Sequence, residues 1–433
     1  MSRWILLGLL CSLMLPADTS GQTAPTPPPQ NPQQNQEERL RVLEQQVKAL
    51  QEEIAALRVA AGSAPATAPA APPTPATTPQ PVPAGEAPAT SALPVYGAGS
   101  AKAFNPDIGI IGNFLAATGE SRGGSATFAP TPLLTLQESE ASLQAIVDPY
   151  ARADFFLALG EEGIEVEEGF ITFTSLPGGL LAKVGKKRAE FGRLNAFHNH
   201  TLPWLDRPLV MFNLLGGETD DPDTGIKDAG LSVSWLIPTR GLFLEATGEI
   251  FRGDSGTVFQ SNRRQDFSAI GRLRAYGDLS ESSNVEAGAS YARGHNDLGS
   301  AYTTQLYGVD LTYRWRPLAR AIYRSFAGRT ELMWSRREVV GSRTIDAFGG
   351  FVSGDYQFAR RWIAGGRADW SGRGREADIR DRGASLLLTF SPSEFSQLRT
   401  QYRRTRFGDQ ARAANELLFQ LLFTIGAHGA HAF

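Results

Sequence analysis

Apolar and polar residues alternate along most of this chain, from residue 104 onward, in runs of about ten residues separated by turn signals. The last run shows the pattern best, with one apolar face formed by Leu417, Phe419, Leu421, Phe423 and Ile425. Successive side chains of a strand point to opposite faces. The pattern therefore predicts an all-β domain of antiparallel strands over residues 104–433.

The number and spacing of these runs favour a closed barrel. About 16 runs fit between residues 104 and 433, an even number at the spacing typical of bacterial outer-membrane barrels. Every second connection is tight, as at Asp148-Pro149 and Ser391-Pro392-Ser393. The intervening ones include the long stretches 117–133, 188–227, 252–265 and 371–381. Short periplasmic turns and long outer loops are the expected asymmetry, which would place both termini in the periplasm.

The polarity of the two faces bears on what surrounds the barrel. In the run 302–316, one face carries Val309 and Leu311 and ends in Trp315, whereas Asp310 lies on the other. An apolar face that ends in aromatic residues is typical of lipid contact. A soluble β-sandwich would alternate as well, so other parts of the sequence must decide between them.

The first 100 residues support export to the outer membrane. Residues 1–21 have a positive start, an apolar stretch and small residues, which predicts a signal peptide. A Pro/Gln-rich spacer, 22–36, precedes a predicted coiled-coil helix, 37–60, and an Ala/Pro-rich linker, 61–103. The chain ends at Phe433, an aromatic terminus of the kind that the barrel-insertion machinery reads.

The coiled-coil prediction rests on a heptad pattern. Apolar residues recur at alternating spacings of three and four, which predicts a trimerisation seam; they are Leu40, Leu43, Val47, Leu50, Ile54 and Leu57. A solvated amphipathic helix without partners is the alternative.

Composition excludes several other classes of protein. The net charge of −3, from 42 Lys+Arg against 45 Asp+Glu, gives no sign of nucleic-acid binding. After residue 20 no stretch of about 18 apolar residues occurs, which excludes a helical membrane protein. The single Cys cannot form an internal disulfide. No catalytic motif such as G-x-S-x-G is present, so we expect neither an enzyme nor a cofactor.

Two stretches of the longest connection carry a family resemblance. It opens with Gly185-Lys186-Lys187-Arg188-Ala189-Glu190-Phe191-Gly192 and continues to Pro203-Trp204-Leu205-Asp206-Arg207-Pro208-Leu209. This resembles the G-x-x-K-x-x-F … F-x-E-R-x-L stretch of phosphate-selective porins of the O and P type. The resemblance implies a homotrimeric barrel whose third outer loop, 188–227, folds inward to constrict the pore. Asp206 replaces the family's Glu, and a dense lysine ladder is not evident, so the resemblance supports porin architecture better than phosphate as the solute.

Strand parity predicts which charged residues face the lumen, where charges select solutes. The inward basic residues are Lys183, Lys187, Arg272, Arg274, Arg314, Arg316, Arg337, Arg367, Arg399 and Arg403. The inward acidic residues are Glu138, Glu140, Glu245, Glu249, Glu286, Asp310, Glu331 and Asp369. The basic residues concentrate on later strands, which predicts a transverse field. Salt bridges between neighbouring strands, without selectivity, are the alternative.

The long loop and the C-terminal tail contain further candidates. Arg188, Arg193, Asp206 and Arg207 would provide the charges of the constriction, and Asp206-Arg207-Pro208 either anchors the loop to the wall or forms an ordinary turn. Histidine is a common metal ligand, and two pairs occur: His198 with His200, and His428 with His431. Two ligands do not complete a zinc site, so loop packing or a pH-sensitive gate are alternatives.

These patterns together predict an outer-membrane channel for passive diffusion of small polar or anionic solutes, phosphate-like ones included. Its expected partners are outer-membrane lipid, two further copies of the chain and the insertion machinery, with peptidoglycan as another candidate. The alternative is a receptor or structural barrel tethered to the periplasm, in which the histidine pairs would link the function to a metal ion.

Overall fold

The computed structural model describes residues 106–119, 134–136, 139–160, 163–216 and 224–426, together with Lys48. Apart from Lys48, the predicted signal peptide, spacer, coiled coil and linker lie outside the described residues. So do Glu138 and the tail with His428, His431 and Phe433.

The barrel domain is one antiparallel sheet, as the alternation predicted. Its strands are β1 Asp107–Gly119, β2 Leu134–Leu136, β3 Ser139–Asp148, β4 Ala151–Gly160, β5 Gly163–Phe173, β6 Leu180–Arg188, β7 Lys227–Ile237, β8 Phe243–Phe251, β9 Ser268–Ser280, β10 Ser283–Asn296, β11 Gly299–Trp315, β12 Ser325–Val339, β13 Arg343–Ala359, β14 Trp362–Gly372, β15 Arg380–Ser393, β16 Ser396–Arg406 and β17 Ala414–Gly426.

The first and last strands close the sheet. β1 pairs with β17 from Gly109 opposite Gly426 to Gly119 opposite Glu416. On its other side β1 pairs with both β2 and β3, which are therefore two pieces of one barrel strand. The described residues thus form a closed antiparallel barrel of 16 strands, which confirms the predicted strand number.

Connections alternate between the two ends of the barrel because neighbouring strands run in opposite directions. One end has mostly short connections, among them 149–150, 281–282, 360–361 and 394–395. The other end has the long connections 189–226, 252–267 and 373–379. One predicted turn was misplaced: Ser391-Pro392-Ser393 belongs to β15, which continues to Ser393 through an irregular register after Phe390.

Exposure follows the predicted parity of the strands. On β11, Val309 and Leu311 are 42% and 44% exposed, whereas Asp310 between them is 5% exposed. The apolar face is therefore the outside of the barrel, and the polar face is its interior. This arrangement is the reverse of a soluble sandwich, in which the apolar faces are buried.

The connection between β6 and β7, residues 189–226, contributes much of the buried core. It contains two short 3₁₀ turns, Leu194–Ala196 and Asn199–Thr201, and one α-helix, α1, Leu209–Leu214. Its fully buried side chains include Phe191, Trp204, Val210 and Met211. Among the described residues, no helix is both long and apolar enough to span a membrane.

The outward position of Leu311 yields a test of the lipid-facing surface. An arginine near the middle of a lipid-facing strand destabilises a membrane barrel by about 2–4 kcal/mol. We therefore expect Leu311→Arg to lower the free energy of unfolding in lipid vesicles by about that amount, as measured by urea titration. Leu318→Arg, in the connection after β11, is the control and should fold like the parent protein. Equal stability of both variants would contradict a lipid-facing β11.

Candidate functional site

The loop 189–226 lies against the inner face of the barrel and is attached on several sides. At its start, the Glu190 backbone N–H donates to Glu249 of β8 at 2.7 Å, and the Gly192 N–H donates to Ser290 of β10 at 3.0 Å. Gly192 has a φ of +59°, and a side chain there would meet the carboxylate of Glu331. Glycine therefore allows both the turn and the close approach to the wall.

Further attachments follow around the wall. Glu331 of β12 accepts hydrogen bonds from the backbone N–H groups of Arg193 and Leu194, at 3.2 and 3.3 Å. In α1, the side-chain amide of Asn213 donates to Asp381 of β15 at 2.9 Å. Inward-facing carboxylates thus provide acceptors for a loop whose own backbone donors would otherwise be buried without partners.

Asp206 is the most strongly held residue of the loop. Arg367 of β14 donates to both of its carboxylate oxygens at 3.0 Å, Arg403 of β16 donates at 2.9 Å, and Gln401 donates at 2.6 Å. Burial alone would raise the pKa of Asp206, but Arg367 and Arg403 lower it to about 2. Asp206 therefore makes the charge-assisted anchor to the wall that the sequence suggested.

Arg207 has a different role from its neighbour. Its guanidinium donates to the backbone oxygens of Leu194 and Phe197, at 3.2 and 2.5 Å, and to Asn199 Oδ1 at 2.7 Å. All three acceptors belong to the loop itself. Arg207 therefore holds the loop in shape, whereas Asp206 fixes it to the barrel.

A group of arginines retains partial access to solvent inside the barrel. We call Arg193, Arg274, Arg314 and Arg329 the arginine cluster; their side chains are 19–27% exposed. Arg193 and Arg314 share Glu286, Arg274 lies 3.4 Å from Glu245, and Arg329 pairs with Asp355. Four guanidinium groups thus face three carboxylates.

Arg193 experiences most directly the crowding of positive charge. Burial lowers its pKa to about 10; Glu286 and Asp310 oppose that shift, and Arg314 and Arg329 add to it. The residue stays protonated at neutral pH, with two like charges nearby. Lys183 adds a further half-buried cation, with its Nζ 5.4 Å from the centre of the Phe170 ring.

Most of the other predicted inward charges are buried in ion pairs. The pairs are Lys187 with Glu249, Arg272 with Asp310, Arg337 with Asp297, Arg367 with Asp369, and Arg403 with Glu416. Arg399 donates to the Leu202 carbonyl at 2.7 Å and so also holds the loop. These contacts match the salt-bridge alternative more closely than a row of open charges.

Three predictions need correction. Arg316 lies beyond the end of β11 and is exposed, so it is not part of the strand wall. Arg188 belongs to β6 and is buried against Glu167, so the loop begins at Ala189. The predicted transverse field is weakened because the later strands also carry buried acids that parity counting left out, namely Asp355, Asp381 and Glu416.

The loop histidines lie in a buried acidic environment. His198 and His200 are 2% and 3% exposed, and their ring centres are 5.7 Å apart. His198 immediately precedes a 3₁₀ turn, and His200 lies within it. Burial would lower the pKa of His198, but Glu167 and Glu140 raise it well above its ordinary value.

Glu167 and Glu168 are functional candidates that the sequence analysis missed. The register between β4 and β5 slips after Phe156, so that Glu168 faces Phe156 and Val166 faces Leu157, with Glu167 left between them. Such a bulge lets two consecutive side chains point inward. Both are buried, at 2% and 7% exposure, whereas strict alternation would have placed only one of them inside.

Comparisons with known proteins agree with the architecture. No protein-family model matches this chain. An uncharacterized protein of Aquifex aeolicus (strain VF5) is 28% identical over 392 residues, which covers 77% of this chain and 81% of that protein.

Solved structures of outer-membrane proteins share the fold. An anion-selective porin from Comamonas acidovorans matches with a TM-score of 0.51 and 10% identity over 73% of this chain and 98% of its own. A loop L8 deletion mutant of OmpT, an outer membrane protein of Vibrio cholerae, matches with 0.50 and 11% over 75% and 100%. Pseudomonas putida OprB matches with 0.50 and 11% over 75% and 94%. At these identities the likeness establishes the barrel fold.

The Asp206 anchor generates a stability prediction. We expect Asp206→Asn to lower the free energy of unfolding by about 3 kcal/mol, because two buried guanidinium groups lose a shared carboxylate. Urea unfolding in lipid vesicles would measure the loss. Asp254→Asn, which removes an exposed partner of Arg252, is the control and should change stability by less than about 1 kcal/mol.

The lowered pKa of Asp206 predicts that the effect of Asp206→Asn on stability depends on pH. The pKa of Asp206 in the folded protein, about 2, is below its ordinary value of 3.8. The stabilisation is therefore fully present above the ordinary pKa and is lost as the pH falls through about 2. The difference between parent and Asp206→Asn should be constant near neutral pH and shrink in acid. A difference that grows on acidification would show that Asp206 is not held as a carboxylate.

Proposed function

We propose that this protein is a porin-like channel of a bacterial outer membrane, through which small polar or anionic solutes diffuse. Loop 189–226 constricts the channel in this proposal, and the arginine cluster lines the path that stays open. The observation that carries the proposal is a closed barrel whose longest loop is fixed to the inner wall beside partly exposed, incompletely neutralised arginines.

The balance of accessible charge supports anions. The arginine cluster places four cations against three carboxylates. Lys183 adds a fifth cation, and half-buried Glu190, whose charge interacts with Lys183 and Arg274, adds a fourth carboxylate, which leaves a net charge of about +1. A passing anion would gain attraction at a place where the deeper charges are already compensated. The Comamonas acidovorans structure is named as an anion-selective porin, and we extend that property to this chain.

Phosphate is one possible solute within this class. The resemblance around Gly185–Leu209 points to phosphate-selective porins, and guanidinium groups bind phosphate oxygens well. The short connections, such as 149–150 and 281–282, would face the periplasm, and the long loops would face outward. The predicted signal peptide and the apolar outer face support the same location.

Planar-bilayer recording tests the channel and its selectivity together. We expect the purified protein to conduct, with a reversal potential in a salt gradient of the sign that marks anion preference. Lys183→Gln combined with Arg314→Gln should shift that potential toward cation preference, because two accessible positive charges are removed. Arg336→Gln, which changes an exposed arginine on the outward parity of β12, is the matched control.

Two results would contradict the proposal. A barrel that passes no ions would favour the alternative of a receptor or structural barrel tethered to the periplasm. A parent channel that prefers cations would contradict anion selectivity. A shift in reversal potential that is equally large in Arg336→Gln would show that the arginine cluster does not set the ion preference.

We also propose a homotrimer held in part by the helix 37–60. Its heptad seam, from Leu40 to Leu57, supports association of three copies. Deletion of residues 22–100 should leave conductance per channel unchanged but lower the temperature at which trimers dissociate on a gel. An unchanged dissociation temperature would show that the segment does not hold the trimer. A changed attachment to peptidoglycan in cells would instead assign it a tethering role.

A further inference from the structure

Three side chains from different parts of the chain bring ligand atoms together inside the barrel. Glu140 comes from β3, Glu167 from the bulge in β5, and His198 from the loop. One side-chain N or O atom from each lies within 4.8 Å of the others, and all three residues are at most 2% exposed. Burial of this kind separates them from the scattered carboxylates of a protein surface.

The distances between these atoms match those of a small coordination shell. His198 Nδ1 lies 2.8 Å from Glu140 Oε2 and 3.1 Å from Glu167 Oε2, and His200 Nδ1 lies 3.7 Å from Glu140 Oε2. Ligands about 2.0–2.2 Å from a tetrahedral zinc ion are separated from one another by about 3.3–3.5 Å. A modest adjustment of side chains would therefore place one cation among the atoms of Glu140, Glu167 and His198, whereas His200 lies outside this close group.

The surroundings orient the ligands as outer partners do in metal sites. Glu168 Oε2 lies 2.7 Å from His198 Nε2, so a hydrogen on Nε2 is donated to Glu168 and Nδ1 is left as the ligand atom. The Arg188 guanidinium donates from Nη2 to Glu167 Oε1 at 3.0 Å, and the backbone N–H of Arg188 donates to Glu168 Oε1 at 2.5 Å. These contacts hold both glutamates in place.

Charge balance favours a divalent cation. The carboxylates of Glu140, Glu167 and Glu168 contribute three negative charges, and Arg188 contributes one positive charge. In the form that binds a metal, with neutral imidazoles, the cluster carries −2, which is costly in a buried place unless a cation or a proton offsets it. One divalent cation would neutralise it.

We propose that Glu140, Glu167 and His198 bind one divalent metal ion of the zinc type, with a fourth position open to water or, after a larger movement, to His200. Mixed imidazole and carboxylate ligands suit zinc and neighbouring transition metals, whereas calcium and magnesium prefer oxygen ligands alone. The ion would join the loop to β3 and β5 near the barrel end at which the loop begins.

Metal binding to the full chain, refolded and stripped with a chelator, tests the site. We expect about one Zn²⁺ per chain by titration calorimetry, and Co²⁺ in its place should give the visible absorption of a tetrahedral complex. Glu167→Gln and His198→Gln should abolish stoichiometric binding. Glu168→Gln should weaken it about 10–100-fold, as expected for an outer partner.

Two matched controls make the assignment specific. Glu331→Gln changes another buried glutamate that holds the loop but lies beside no histidine in the described contacts, and it should keep full Zn²⁺ affinity. The double variant His428→Ala and His431→Ala removes the histidine pair of the tail and should also bind normally. Circular dichroism and heat-dependent gel mobility would confirm that each variant folds.

The outcomes separate a metal site from a metal-free ionic cluster. Parent protein that binds no Zn²⁺, or that binds it as well after Glu167→Gln, would overturn the proposal and leave His198 as a proton-carrying partner of the glutamates. Binding lost only in the tail variant would overturn it in favour of the tail. If His198→Gln fails to fold, Glu167→Gln and the Co²⁺ spectrum of the parent decide the matter.

Discussion

Closure of the sheet through β1 and β17 is the constraint on which the rest of this structure depends. Backbone N–H and C=O groups exposed to lipid have no water to bind, so a barrel with a free edge would leave a row of them unpaired. The β1–β17 ladder from Gly109 to Gly426 removes that edge. Once the sheet is closed, alternation divides every strand into a lipid-compatible face and a polar face directed inward.

The polar interior then requires its own compensation. Charged groups buried in a protein are costly unless they are paired and hydrogen-bonded. Here the strands provide part of the pairing, as between Arg272 and Asp310, and the loop provides the rest through Asp206 and its backbone N–H groups. The loop and the barrel wall provide each other with counter-charges and hydrogen-bond partners. The position of the loop therefore follows from the charged residues of the strands.

Two places depart from full compensation, and they carry the functional proposals. The arginine cluster keeps an excess of positive charge that is partly open to solvent, which suits attraction of a passing anion. The group around His198 has an excess of negative charge that is fully buried, which suits a resident cation. The difference in exposure is the reason why we propose transit of solutes at the first place and cation binding at the second.

The alternation of residues by itself determined the strands, their number and the direction of side chains such as Asp310 and Leu311, because parity on a strand is a local property. The choice of a barrel over a sandwich also needed the even strand number and the first 100 residues. The length of residues 188–227 and the motif around Asp206 indicated an inward loop. Tertiary structure alone decided which charges pair, because pairing depends on strand register and on the path of the loop. The bulge that turns both Glu167 and Glu168 inward breaks parity, and no local pattern in the sequence marks it.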